Sequence, residues 1–559
     1  MSAQQDPKSL PRPAATIVLL RNGAAGPEVF MLRRALEAKF VAGAYVFPGG
    51  RVDAADADER IARRVLGFSD AEASARLGLA SGGLAYWVAA ARECFEEGGI
   101  LLATDEQGRP VDPARVAGLG EFRAPLNSGE LRFADFLERE NLFLPARDIA
   151  WYAHWITPPG RPRRFDTRFF VAIAPQDQEG SHDEGETIAN AWVRPNEAIE
   201  RGKRGEIELV FVTRHMLADL ARFARAEEAL AHAHRVEIEL NAPCWAVAPD
   251  GARTLFRRSD PPYFEIHWSD PGETGETGFA LVAGVPKRLD AFVTRIIAPN
   301  PGMMTGPGTN AYLVGKDALA LIDPGPDIDT HREAILAAAN GRIRWILCTH
   351  THVDHSPGAA ALARATGAQV LGRPAPEHGS QDRSFAPQRV LQHGERLDLG
   401  GATLRVVHTP GHASNHLCYL LEETGMLFTG DHVMQGSTVV INPPDGNMRA
   451  YLAALEDVIG IGPAILAPGH GYLVGDPVKA IRALIAHRLG REAKVLRAVA
   501  ESGGAGADAL LPRVYDDVPP RLHPMAARSL AAHLDKLLEE RRVTLSGGRY
   551  ALATPGVPG

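Results

Sequence analysis

Apolar and polar positions along this chain recur with different periods, and the period assigns each stretch to helix or strand. Leu84-Ala85-Tyr86-Trp87-Val88-Ala89-Ala90-Ala91 is apolar for two turns before it becomes acidic, which predicts a buried helix ended by Gly99. Short apolar runs before glycine-bearing turns predict strands at 345–348, 402–407, 425–427 and 464–466. The segment 57–84 reads as mostly helical, and a helix is expected near 214–231. From 236 to 290 the chain is strand-prone and rich in Pro, Gly and Asp, as in Asp260-Pro261-Pro262-Tyr263. That stretch predicts connecting structure or extra strands and carries no assigned chemistry. After Pro477 the pattern is helical at 478–488, 505–514 and 524–541, and 544–552 reads as a hairpin about Gly547-Gly548.

Composition narrows the class without naming a function. A chain of 559 residues exceeds what one core usually supports, so about three domains are expected. Hydrophobic residues at 45% and charged residues at 23% are ordinary for a globular protein. The net charge of -8 gives no sign of a global nucleic-acid surface, although it leaves room for a local basic groove. Cys94, Cys244, Cys348 and Cys418 lack framework spacing, which predicts a reducing, cytoplasmic setting. The first residues lack a basic region followed by an apolar core, and no apolar run is long enough to span a bilayer.

The chemistry concentrates in His350-Thr351-His352-Val353-Asp354-His355, where three imidazoles and a carboxylate occupy six residues. Both ligand types suit zinc and similar divalent metals. Further donors stand in turns after apolar runs: His412 in Thr409-Pro410-Gly411-His412, Asp431 in Phe428-Thr429-Gly430-Asp431, and His470 in Ala467-Pro468-Gly469-His470. Glycine beside each permits the close approach that such a turn needs. His416 and His432 lie near these turns and either serve a substrate or, more plainly, sit on the surface. Cys348 reads as core.

These motifs, with Gly308-Thr309-Asn310-Ala311-Tyr312-Leu313-Val314 and Leu321-Ile322-Asp323-Pro324-Gly325, resemble the metallo-β-lactamase-fold hydrolases over about 291–478. The resemblance implies one metal on His350, His352 and His412, a second on Asp354, His355 and His470, and Asp431 bridging them. It implies two zinc or other divalent ions, with Asp354 handling the proton of the attacking water.

A second constellation is Arg92-Glu93-Cys94-Phe95-Glu96-Glu97-Gly98-Gly99. On a helix Glu93, Glu96 and Glu97 share one face, which makes either a solvated acidic face or a set of hard oxygen donors for Mg²⁺ or Mn²⁺. With Pro48-Gly49-Gly50 upstream, the segment resembles the Nudix box. It departs from the box in two ways: the insertion at 57–84 widens the spacing, and the shorter Asp56 replaces the first glutamate. Arg34-Ala35, Lys39, Gly43 and Phe47-Pro48-Gly49-Gly50 resemble the coenzyme A signature of Nudix diphosphatases, with Lys39 and Leu32 in place of the usual arginine and threonine. Trp155-Ile156-Thr157-Pro158 and Arg164-Phe165-Asp166-Thr167 resemble the organellar branch of those enzymes. By this resemblance Glu93, Glu96 and Glu97 ligate the metal, Glu96 and Glu97 are catalytic, and Arg34, Lys39 and Arg164 hold substrate phosphates.

The C-terminal helices and hairpin resemble a winged helix of the kind found behind β-lactamase-like hydrolases, some of which cut single-stranded RNA. Arg521, His523, Arg528, Lys536, Arg541 and Arg542 are candidate phosphate contacts there; the alternative is a helical cap over the metal cleft. The expected architecture is therefore α/β and α+β multidomain. A Nudix α/β/α sandwich at 11–220, a connecting region at 221–290, a metallo-β-lactamase αββα sandwich at 291–480 and a winged-helix-like domain at 481–559 follow in order. The expected activities are hydrolysis of a small thioester or ester and Mg-dependent cleavage of a nucleoside diphosphate linked to X, with coenzyme A or acyl-CoA leading. The alternative is a single-stranded RNA endoribonuclease with a degenerate or regulatory Nudix module.

Overall fold

The strand β1 (Arg12–Gly23) buries Ala15, Ile17 and Leu19 on one face and Val18 and Leu20 on the other, so both faces need a cover. In the computed structural model, which describes residues 10–35, 43–183, 186–377 and 381–553, β1 runs through the first of two compact units, Met1–Pro243 and Cys244–Gly559. Its sheet also contains β2 (Gly26–Arg34), β3 (Gly49–Arg51), β4 (Ile149–Ile156), β5 (Phe165–Ile173) and β6 (Thr187–Val193). β1 lies parallel to β5 and antiparallel to β2 and β3. Helix α1 (Leu84–Gly98) covers the Ala15–Ile17–Leu19 face, with the Trp87 and Phe170 rings 4.7 Å apart. On the opposite face α2 (Phe211–Leu220) and α3 (Ala226–Ala233) pack against Val18, Leu20, Met31 and Val171. Helix, sheet and helix make the expected α/β/α sandwich.

The single helix expected near 214–231 is instead two. Arg225 is extended, and the amide of Ala226 donates to Oδ1 of Asn22, 2.9 Å away. A cap supplied from a distant strand turn is invisible to a local reading.

In the second unit two sheets lie face to face. The first contains β9 (Val293–Ile297), β10 (Asn310–Gly315), β11 (Leu319–Ile322), β12 (Ile343–Leu347) and β13 (Gln369–Gly372). The other contains β14 (Thr403–His408), β15 (Leu417–Leu421), β16 (Met426–Gly430) and β17 (Ile465–Pro468). Tyr312, Val314, Ile322 and Leu347 of one meet Leu404, Val406, Tyr419 and Phe428 of the other in a shared core. Helices Asp329–Ala339 and Gly358–Thr366 cover the outer face of the first sheet, and α5 (Met448–Ile461) covers that of the second. This is the αββα order.

The stretch 236–290 is a hairpin, β7 (Cys244–Val247) with β8 (Arg253–Phe256), followed by helix α4 (Tyr263–Ser269). The helix corrects the strand-prone expectation: Pro261 and Pro262 suit a first helical turn, and Tyr263 N donates to Asp260 O. At the C-terminal end α6 (Pro477–Ser502) runs 26 residues and crosses the expected 480/481 boundary. Its Ile481 joins the core under α5, while Val495 and Val499 pack with α7 (Ala507–Val514) and α8 (His523–Glu539). The hairpin β18 (Val543–Ser546) and β19 (Arg549–Leu552) turns at Gly547 and Gly548, both at positive φ, and completes the winged helix. Among the described residues no helix is long and apolar enough to cross a membrane.

Candidate metal centre

Parallel strand ends gather the donors. His350 and His352 follow β12, His412 follows β14, Asp431 follows β16 and His470 follows β17, all at carboxyl ends of strands at one edge of the sandwich. Nε2 of His350 lies 2.8 Å, and Nε2 of His412 3.0 Å, from Nδ1 of His352.

The outer nitrogens show which way these imidazoles face. His412 Nδ1 lies 2.8 Å from the carbonyl of Val440, which can only accept, so Nδ1 carries the proton. Thr349 Oγ1 donates to Asp323 Oδ2 at 2.8 Å, so at 3.0 Å it accepts from His350 Nδ1. Both Nε2 atoms therefore point bare lone pairs at His352, and at most one proton serves three nitrogens. A cation fits that donor set; an empty hole does not.

The second group repeats the logic. His470 Nδ1 donates to Gly308 O at 3.2 Å, and His355 Nδ1 donates to Asp323 Oδ2 at 2.9 Å. Their Nε2 atoms face carboxylates, His470 at 3.4 Å from both Asp354 Oδ2 and Asp431 Oδ1, His355 at 3.6 and 3.5 Å from the same two oxygens. Both Nε2 atoms and Asp431 Oδ1 are buried without a hydrogen-bond partner among the described residues. The other oxygen of Asp431 lies 3.7 Å from His412 Nε2, so one carboxylate turns an oxygen to each group. The donor atoms of His350–His352–His412, of His350–His355–Asp431 and of Asp354–His355–His470 each lie within 4.8 Å of one another.

Electrostatics agree. Burial, then the neighbouring His412, pushes His352 down to about 3. Burial alone would also lower His355, but Asp354, Asp323 and Asp431 together carry it well above the usual imidazole value. Burial and a neighbouring imidazole thus disfavour a proton on His352, while three carboxylates favour one on His355.

Asp323 and Thr349, which the sequence does not single out as site residues, hydrogen-bond to the imidazoles of His355 and His350. Asp323 is buried at positive φ and accepts from Thr349 N at 2.7 Å besides serving Thr349 Oγ1 and His355. The surface reading of His416 and His432 is wrong: both are fully buried. His416 stacks on His350 with centroids 5.0 Å apart and Nδ1 2.9 Å from Thr409 Oγ1, so it packs behind the site. Cys348 is buried in the core, as expected.

In the first unit α1 aims its acidic face at β3. Arg92 pairs with Asp56 through Nε at 2.8 Å and Nη2 at 3.1 Å, and its Nη1 reaches Glu93 at 2.9 Å and Glu96 at 2.8 Å. The shorter Asp56 therefore reaches its arginine. Glu97 accepts from Gly49 N at 3.0 Å. A Cβ on Gly50 would sit 2.3 Å from Glu93 Oε1, so any larger residue here makes the Glu93 carboxylate move. Burial, then the Glu96 charge, raises Glu93 to about 7, and burial with Glu93 raises Glu97 well above the carboxylate range. Among the described residues the three glutamates do not form a group as tight as those of the histidines, and Arg92 Nη1 binds both Glu93 and Glu96. Arg34 faces Glu97, with Nη2 3.5 Å from Glu186. Arg164 donates to Thr157 O at 2.9 Å at the start of β5. Lys39 lies outside the described residues.

Fold and donor set define a metallohydrolase, and the chain belongs to the metallo-β-lactamase superfamily, whose model matches residues 304–470. Models of the β-lactamase-associated winged helix domain and of the NUDT19 Nudix domain match 507–549 and 62–213, so two hydrolase modules stand in one chain. A β-lactamase-like protein 2 homolog of Drosophila melanogaster is 32% identical over 281 residues, 48% of this chain and 94% of that one. The thioesterase pkgB of Emericella nidulans is 32% identical over 237 residues, 42% of this chain and 66% of that one. A solved β-lactamase domain protein from Burkholderia ambifaria is 22% identical over 49% of this chain and 96% of that one, with a TM-score of 0.43. Divalent metals are general to both families.

Proposed function

We propose that the histidine-rich centre hydrolyses a small acyl thioester and that the acidic site cleaves a nucleoside diphosphate linked to X, with coenzyme A or acyl-CoA as the substrate class. The observation that carries the first half is Asp431, which offers one oxygen to each of two donor groups. His350, His352 and His412 would hold one zinc, Asp354, His355 and His470 the other, and Asp431 both. Such a pair, when bound, lowers the pKa of water and draws negative charge from a carbonyl or phosphoryl oxygen.

The chain's own residues do the rest. Asp354 leaves 22% of its side chain exposed against 12% for Asp431, so it is the carboxylate open to a substrate. Its oxygen not engaged with His470 would take the proton of the attacking water and return it to the thiolate leaving group. The thioester class draws support from the relative named a thioesterase. The RNA reading loses two of its candidate phosphate contacts, since Lys536 and Arg542 are tied to Glu492 at 2.7 and 2.6 Å.

On the Nudix side Glu93, Glu96 and Glu97 would hold Mg²⁺ or Mn²⁺, whose charge would offset the burial first, and the neighbouring carboxylate next, that raise Glu93 and Glu97. Arg34, Lys39 and Arg164 would receive phosphate oxygens.

Zinc-loaded protein offered an acyl-glutathione, an acyl-CoA and labelled single-stranded RNA tests the choice. Thioester cleavage with intact RNA is expected, lost in His352→Ala. RNA cleavage without thioester turnover would refute the proposal. Release of phosphopantetheine from CoA should require Mg²⁺ and disappear in Glu96→Gln.

A further inference from the structure

The stretch to which the sequence assigned no chemistry supplies a carboxylate that is 0% exposed, Glu265 on α4. Oε1 accepts from Lys287 Nζ at 2.7 Å and Arg295 Nη2 at 2.9 Å. Oε2 accepts from Arg295 Nη1 at 2.6 Å and from the backbone amide of Leu473 at 3.2 Å. Arg295, on β9 and also buried, gives Nη1 a second acceptor, Gly471 O at 3.3 Å. Both groups thus hold the backbone immediately after His470.

The same turn is gripped from β10. Asn310 N donates to Gly469 O at 2.7 Å, Asn310 Nδ2 to Pro468 O at 2.9 Å and Gly471 O at 3.0 Å, and Tyr312 Oη to Pro468 O at 2.7 Å. Every carbonyl from Pro468 to Gly471 except that of His470 is engaged by this network. A buried ion pair contributes little net stability over a well-packed apolar pair, because desolvation offsets the Coulomb gain. What a bidentate guanidinium–carboxylate pair does supply is fixed direction. Here that direction is delivered to one ligand turn, and none of the bonds reaches the turns of His350, His352 or His412.

We infer that Glu265 and Arg295 are positioning residues for His470, setting the second cation site while leaving the first untouched. The inference rests on the paired-cation reading above. Removing the Glu265 charge lets the Gly471–Leu473 backbone relax, and His470 Nε2 drifts from Asp354 and Asp431. The second site loosens, and the first keeps its three imidazoles.

The test counts zinc per full-length chain by elemental analysis after dialysis against graded chelator, with thermal unfolding alongside. Wild type should retain two equivalents. Glu265→Gln should fall to one at chelator levels that leave wild type loaded, and Glu265→Gln combined with His470→Ala should bind no less zinc than His470→Ala alone. Lys287→Met, which leaves the Glu265–Arg295 pair and its bonds to the turn in place, should stay at two. If Glu265→Gln does not fold, Arg295→Lys decides, since it keeps the charge but loses the forked geometry; it should also fall to one. Two equivalents in Arg295→Lys, or in a folded Glu265→Gln, overturn the inference, as does loss of both sites together. Fewer than two in wild type sinks the paired-cation reading itself.

Discussion

A single hydroxyl stands between Asp323 and His350. Thr349 Oγ1 donates a hydrogen bond to the carboxylate and accepts one from His350 Nδ1, which leaves the lone pair of His350 Nε2 free for a metal. Thr349→Val keeps the shape and removes this relay, so zinc affinity should fall about 10–100-fold with the fold intact. A competition titration checks it, and unchanged affinity would show that packing alone sets the imidazole. In the other unit Gly50→Ala forces a methyl to within 2.3 Å of Glu93 Oε1. Mg-dependent pyrophosphate cleavage should drop at least about tenfold while zinc-dependent hydrolysis is unchanged, the loss of one metal-orienting contact having that scale. Equal activity would mean that the present placement of the Glu93 carboxylate is not needed for the reaction. The candidate donors were legible because six positions held four of them. Asp323 and Thr349 were not, since a carboxylate that orients ligands is spelled like any other buried aspartate.

Elements were legible where their caps are local. Gly99 ends α1 at positive φ, as the glycine predicted, and Gly547-Gly548 turn the terminal hairpin. They were illegible where the deciding partner lies far along the chain, as Asn22 does for the break between α2 and α3. The helix α8 carries one consequence of this kind. His533 is fully buried, faces Arg488, Lys536, Arg491 and His487, and is pushed down to about 3, by burial first and those charges next. Its unfolded value is higher, so the unfolded chain binds the proton first and stability is lost as pH falls below about 6.5. Each pH unit in that window costs about 1.4 kcal/mol. His533→Leu should flatten the decline of melting temperature between pH 6.5 and 5. Parallel curves for variant and wild type would remove His533 as the cause.

At the scale of the molecule the order of the modules was legible from two motif clusters, while 221–290 was not: it divides between the units and hides Glu265. Across the insertion at 57–84 Asp56 still meets Arg92. Two sites with different ligand chemistry, oxygen donors in one unit and imidazoles in the other, should fail independently. Glu96→Gln should abolish Mg-dependent cleavage and spare thioester hydrolysis, and His352→Ala should do the reverse; joint loss in either variant would mean that the activities share a site. The central claim concerns where cations sit. Anomalous diffraction at the zinc edge, from crystals of the full-length chain grown with zinc, locates them directly. Two peaks are predicted in the second unit, one at about 2.0–2.2 Å from the nitrogens of His350, His352 and His412, the other beside His355, His470 and Asp354, with Asp431 touching both. A single peak, or two that do not share Asp431, would contradict the account.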